Sequence, residues 1–105
     1  MSHVSHIFFA LSDETRLEII EKLMRYDEMP AGDISDMFDI SGPAISRHLS
    51  VLLKAGLVKR RVAGKQRLYS ACPGAIRRVS DWTMDHRSFW ESSLDRIETA
   101  LREES

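Results

Sequence analysis

Two short amphipathic segments, separated by three residues, constrain this chain more than any other feature of its sequence. Residues 31–38 place Ile34, Met37 and Phe38 on one side of a helix, and the next segment places Ile45, Leu49, Leu52 and Leu53 on one side of another. Only Asp39, Ile40 and Ser41 connect them. The Ser41 hydroxyl is suited to cap the second helix, and Pro43 falls in its first turn, where a missing N–H costs little. Gly56 follows the apolar stripe, where a left-handed residue commonly ends a helix. Two helices joined this tightly, the second one capped, are expected to form a helix-turn-helix.

The flanking residues extend that reading. Residues 4–11 read as a short first helix. Ser12 is placed to cap the next helix and Asp13 and Glu14 to supply first-turn acids, and Leu17, Ile20, Leu23 and Met24 carry helical spacing over residues 13–26 until Pro30 breaks it. After Gly56, two β-prone runs at residues 57–62 and 67–70 surround a tip containing Gly64, so a hairpin is expected there, as a wing, ended by Pro73 and Gly74.

Beyond it, Ile76, Val79, Thr83, His86, Trp90, Leu94, Ile97 and Leu101 recur at spacings of three or four, and Trp82 and Phe89 widen the stripe. One helix over residues 75–102 would reach about 40 Å, whereas a domain of this size has a radius of gyration of about 13 Å. The stripe should therefore outrun its own core and be covered by a second copy, with help from Ile7 and Phe8. The expected fold class is mainly α with a small β-hairpin. It is a dimeric winged helix-turn-helix of five helices and a two-stranded wing, in one domain over residues 1–105 with N- and C-terminal dimerisation helices.

The net charge of −1 conceals a segregation. From Ile40 to Ser80 there is no Asp or Glu, while the same stretch holds Arg47, Lys54, Lys59, Arg60, Arg61, Lys65, Arg67, Arg77 and Arg78. All 16 acidic residues lie outside it. A basic block over a helix-turn-helix is the footprint of a surface that meets a polyanion, although chance clustering on a solvated face gives the same pattern. The 43% hydrophobic content excludes a disordered polar tail. No run of 18 apolar residues is present, so no membrane span is expected, and the N-terminus lacks the basic start of a secretory leader. The lone Cys72 excludes an intrachain disulfide and suits a cytoplasmic location. Nothing resembles a Gly-rich phosphate loop, a nucleophile elbow or a paired metal motif, so no catalytic residue and no cofactor are expected.

Three segments together resemble the ArsR/SmtB family of bacterial repressors. They are Ala10-Leu11-Ser12-Asp13-Glu14-Thr15-Arg16-Leu17-Glu18-Ile19-Ile20, then Ser41-Gly42-Pro43-Ala44-Ile45-Ser46-Arg47-His48-Leu49-Ser50-Val51-Leu52, then Lys54-Ala55-Gly56-Leu57-Val58 with the basic hairpin. The resemblance covers about residues 6–72 and implies a winged-helix dimer that represses operons and releases DNA when an inducer binds. The inducer is not legible. A long polar residue is usual in the family where this chain has Gly42.

A recognition helix presents its N-terminal residues to base edges, here Ser41, Gly42, Ala44, Ser46 and Arg47. Lys59, Arg61, Lys65, Gln66 and Arg67, with Arg60 beside them, would carry the wing's contacts to phosphates or the minor groove of double-stranded DNA. His48 borders the apolar stripe and is read as a structural histidine. Metal sensors of the family often carry a Cys-x-Cys pair before the turn, and this chain has Gly32, Asp33, Ile34, Ser35 and Asp36 there. No metal site is expected. The remaining ligand types are Asp81, Asp85 and His86, with His3 and His6 at the N-terminus, so a metal-responsive sensor using histidine and carboxylate ligands stands as an alternative. Another is a winged helix used as a protein-interaction module without DNA.

Overall fold

The computed structural model describes residues 3–104. The order of elements is α1 (His3–Leu11), α2 (Glu14–Arg25), β1 (Met29–Pro30), α3 (Ala31–Asp36), α4 (Gly42–Lys54), β2 (Val58–Ala63), β3 (Gln66–Ala71), α5 (Pro73–Asp85) and α6 (Arg87–Glu104). The strands form one antiparallel sheet in the order β1-β3-β2.

Local chemistry sets most of these boundaries. The Asp13 carboxylate accepts from the Arg16 N–H at 3.1 Å and so caps α2. Ser41 does the same for α4, accepting from the Ala44 N–H at 3.3 Å, with Pro43 in the first turn. At the far end of α4, Gly56 takes a φ of +75°. There the Gly56 N–H donates to the Leu53 carbonyl at 3.1 Å and the Leu57 N–H to the Leu52 carbonyl at 3.0 Å, the paired bonds of a Schellman ending. The hairpin turns through Gly64, whose φ of +64° fits the first position of a two-residue loop.

The core lies where α1, α2, α3, α4 and the sheet converge. Ile7, Ile19, Ile34, Leu52 and Leu57 are its largest fully buried side chains, and no polar or charged residue is buried among the described residues. Ile45, Leu49 and Leu52 form the inward row of α4, as its spacing requires.

The winged helix-turn-helix is present, and its details differ from the sequence reading in four places. The cap of α2 is Asp13 and not Ser12, whose hydroxyl instead donates to the Phe9 carbonyl at 2.6 Å. The final helix is two helices, giving six. The His86 imidazole contacts the Trp82 carbonyl through Nδ1 at 2.8 Å, and the His86 N–H donates to the Thr83 carbonyl at 3.3 Å, closing α5 in a tighter turn. The Thr83 hydroxyl meanwhile donates to the Val79 carbonyl at 3.0 Å, a contact that bends helices. The sheet has a third strand, in which Met29 pairs with Tyr69 and Pro30 with Leu68. Proline is tolerated there because β1 is an edge strand. Ile7, expected on a surface between copies, is fully buried in the chain's own core. The first helix turns Ile7 and Ala10 inward and leaves Phe8 and Phe9 exposed.

Helix α6 buries none of its residues. Phe89, Trp90, Leu94, Ile97 and Leu101 on it are between 43% and 62% exposed. The radius of gyration is 17.5 Å and the long axis 60 Å, against about 13 Å expected for a compact radius at this length.

Loss of the α2 cap has a predictable cost. Asp13→Ala should lower stability by about 1 kcal/mol in urea unfolding at neutral pH. The hydrogen bond from the Arg16 N–H holds the Asp13 carboxyl below its ordinary value. Its contribution is therefore complete above the unfolded carboxylate's pKa and is lost as acid protonates the folded one. The difference between wild type and variant should shrink as pH falls below about 4. A difference that stays constant to lower pH would show that the cap is not the cause.

Candidate nucleic-acid interface

Burial of Ile45, Leu49 and Leu52 dictates what α4 presents outward. Gly42, Pro43, Ser46, Arg47, Ser50 and Lys54 are exposed, and Ala44 is half-buried. Ser46, Arg47, Ser50 and Lys54 fall on the side away from the buried row. Pro43, Ser50 and Lys54, exposed on this helix, were not singled out in the sequence as contacts. Their signal was the spacing of three or four that links Arg47 to Ser50 and Ser50 to Lys54. Ser41 is exposed too, with its hydroxyl oxygen already engaged as the cap. A Cβ built on Gly42 meets nothing within 4 Å, so packing does not demand glycine at that position.

The wing stands next to this helix because its base is hydrogen-bonded to the helix ending. The Leu57 N–H donates to Leu52, and the Cys72 N–H to the Leu57 carbonyl at 2.9 Å. From that base the register runs outward through Lys59 opposite Ser70, Arg61 opposite Leu68, and Ala63 opposite Gln66. Lys65, Gln66 and Arg67 are therefore gathered at the tip, all exposed. With Pro30, Ala31, Gly32 and Asp33 they line one surface cleft, so the tip lies beside the start of α3.

Arg61 differs from the other wing cations. Its Nε and Nη2 donate to the two Glu28 carboxylate oxygens at 2.7 and 2.8 Å, reaching across β3 toward the residue before β1. The hydrogen bond from Arg61 lowers the Glu28 pKa, and the same bond raises that of Arg61. The bidentate pair is exposed and worth little in net stability, but it commits the guanidinium to the sheet. Arg61, read from sequence as a DNA contact, is paired with Glu28 across the sheet in this structure. Among the described residues Lys59, Arg60, Lys65 and Arg67 form no such pair.

His48 fits its structural reading. It is half-buried, and its Nδ1 lies 3.2 Å from Arg16 Nη1 and 3.7 Å from the Asp13 carboxylate. The shorter contact has Nδ1 as acceptor, which places the ring proton on Nε2. Sequence reasoning assigned Arg16 no role of its own.

Away from the hairpin in sequence, an aromatic cluster joins α1 to α5 and α6. Phe8 meets Trp82 edge-on at 5.3 Å, Trp82 stacks on His86 at 4.4 Å, and Trp90 lies 6.1 Å from Trp82. Ile76 and Val79 are half-buried against the core below it, and Thr83 is exposed. Among the described residues no three His, Cys, Asp or Glu side chains are placed to hold a metal ion. The side chain of His3 lies outside the described residues.

Residues 13–60 match the family described as bacterial regulatory protein, arsR family. The transcriptional repressor SdpR of Bacillus subtilis is 33% identical over 82 residues, which is 78% of this chain and 90% of that protein. The arsenical resistance operon repressor of Escherichia coli is 40% identical over 99 residues, covering 91% of this chain and 80% of that one. Among solved structures, an ArsR-like transcriptional regulator from Rhodococcus sp. RHA1 superposes with a TM-score of 0.73 at 28% identity, covering 93% of this chain and 92% of its own. The matched residues hold the cap of α2, the helix-turn-helix and the first half of β2, and the chain belongs to the arsR family of bacterial regulatory proteins, DNA-binding transcriptional regulators built on a winged helix-turn-helix.

Proposed function

We propose that the chain is a homodimeric repressor that acts in the cytoplasm and binds a palindromic operator. Each copy would set α4 in the major groove and its wing tip on the backbone or in the minor groove. The observation that carries this reading is the exposure of Arg47, Lys54, Lys59, Arg60, Lys65 and Arg67 in a stretch without a single acid. Base edges are within reach of Ser41, Gly42, Ala44, Ser46 and Arg47 in that pose, and phosphates within reach of Lys59, Lys65, Gln66 and Arg67. Arg61 would contribute only by leaving Glu28.

The dimer rests on the apolar face of Phe8, Trp82, Phe89, Trp90, Leu94, Ile97 and Leu101, with Ile76, Val79, Thr83 and His86 at its edge. Full burial of a large apolar side chain stabilises by about 1.5–3 kcal/mol, so a stripe of this length supplies a stable interface. To enter successive major grooves on one face of DNA, the two α4 helices of the dimer would need to lie about 34–36 Å apart, one turn of DNA, or a multiple of it.

Three measurements test this. Fluorescence anisotropy on a selected operator and a scrambled duplex should show Arg47→Ala costing about 1–3 kcal/mol on the operator and narrowing the gap to scrambled DNA. Lys65→Ala should weaken both duplexes alike and lower the salt slope by about two units in a dimer. Equal losses for Arg47→Ala on both duplexes would make Arg47 a phosphate clamp instead. Light scattering should give a dimer for wild type at micromolar concentration and a monomer for Ile97→Asp, which would bury an unpaired charge at a cost of several kcal/mol. A monomeric wild type refutes the interface. Zinc, nickel, cobalt and copper should each leave operator affinity within about threefold, under about 0.7 kcal/mol. Stoichiometric metal that releases DNA would establish a sensor in its place.

A further inference from the structure

One polar joint connects three helices. The Arg16 guanidinium donates through Nε to the Ala10 carbonyl at 2.6 Å and through Nη2 to the Phe9 carbonyl at 3.4 Å, both at the end of α1. Its Nη1 donates to His48 Nδ1 at 3.2 Å, in the middle of α4. Its backbone N–H donates to the Asp13 carboxylate that caps α2. The guanidinium also lies 5.7 Å from the centre of the Phe9 ring. One side chain thus ties the end of α1 to the recognition helix.

The two tied helices have different duties under the reading above. Helix α1 carries Phe8, which packs on Trp82 in the proposed dimer face. Helix α4 carries Arg47, the neighbour of His48 in sequence. The inward row of Ile45, Leu49 and Leu52 holds α4 on the core, but apolar packing is non-directional and fixes the roll of a helix less sharply than a hydrogen bond does. With side chains a helix is about 10–12 Å across, so a roll of about 10° moves a surface group by about 1 Å. That displacement is enough to spoil a bidentate base contact, while a flexible phosphate contact follows it.

We propose that Arg16 and His48 are positioning residues for operator recognition, fixing the roll of α4 relative to the α1 end of the dimer face. The proposal rests on the operator reading. It assigns Arg16 three hydrogen bonds that no lysine can reproduce, since an ammonium lacks the planar fork that spans two carbonyls and an imidazole. It assigns His48 the part of an acceptor at Nδ1. Asparagine sets its carboxamide oxygen close to that position, and leucine keeps the volume without an acceptor.

The test uses the full chain, a duplex selected by the wild-type protein from a randomised pool, and a scrambled duplex of equal length. Binding is read by anisotropy, well below each variant's thermal midpoint. His48→Leu and Arg16→Lys should each weaken the selected duplex about tenfold and the scrambled one by less than about twofold. His48→Asn should stay within about threefold of wild type on both. The double variant His48→Leu with Arg16→Lys should be no weaker than the worse single one, because both remove the same bond. If His48→Leu does not fold, the contrast between Arg16→Lys and His48→Asn decides by the same criterion. The proposal is overturned if His48→Asn loses as much as the variants lacking the bond, if both duplexes weaken alike, or if the single losses multiply. A wild type that binds neither duplex would remove the operator reading itself, a result separable from all of these.

Discussion

Leu52 and Leu57 are both fully buried, and the turn through Gly56 lies between them. That arrangement ends the recognition helix and begins the wing within three residues. The glycine supplies a left-handed backbone that other residues rarely adopt, the two leucines anchor both sides of the turn in the core, and the Leu57 N–H closes onto the Leu52 carbonyl. The spacing between the Arg47 side of α4 and the Lys65 tip of the hairpin depends on this junction. The hairpin is rooted a second time, where the Cys72 N–H meets the Leu57 carbonyl, so both of its strands leave from the same point.

On that frame the charges divide into two kinds. Lys65 and Arg67 stand at the tip, where solvent screens them and a polyanion can reach them. Arg61 stands nearer the base and is held by Glu28, which comes from a different part of the chain. The basic surface is therefore smaller than the basic sequence. The acid-free block of residues 40–80 overstates it because an acid outside the block folds back onto it.

The remaining surface is dominated by α5 and α6, which leave the core after Ile76 and Val79 and carry aromatic and aliphatic groups into solvent. Trp82 is the pivot of that arm. It receives Phe8 from α1 on one side, His86 on another and Trp90 from beyond the break. At the break the His86 imidazole meets the Trp82 carbonyl, and one turn before it the Thr83 hydroxyl donates to the Val79 carbonyl. With the joint at Arg16, the first helix touches the aromatic arm and is tied to α4.

The sequence by itself determined whatever depends on neighbours within a turn or so. The cap at Ser41, the glycine ending at Gly56, the inward stripe of α4 and the hairpin about Gly64 were all legible, since each is set by residues two to five apart, and the cap of α2 was read one residue early, at Ser12. The exposed apolar face of the last helical stretch was legible as well, as a pattern too long for one core. Only the tertiary structure decided between equivalent local choices. Ile7 and Phe8 are adjacent apolar residues of one short helix, and the docking angle of α1 sent the first inward and left the second at the surface. Arg61 looked like any wing cation until the sheet brought Glu28, 33 positions earlier, within 2.7 Å. Arg16 had no role in the sequence reading, and the packing of α1 and α4 surrounds it with two carbonyls and an imidazole 32 positions away. Two residues of β1 are too few to show a period of two, and their pairing exists only because the hairpin lies beside them. In each case the deciding partner is distant in sequence, and the hydrogen bond that fixes the residue's role does not exist until the core has brought the two segments together.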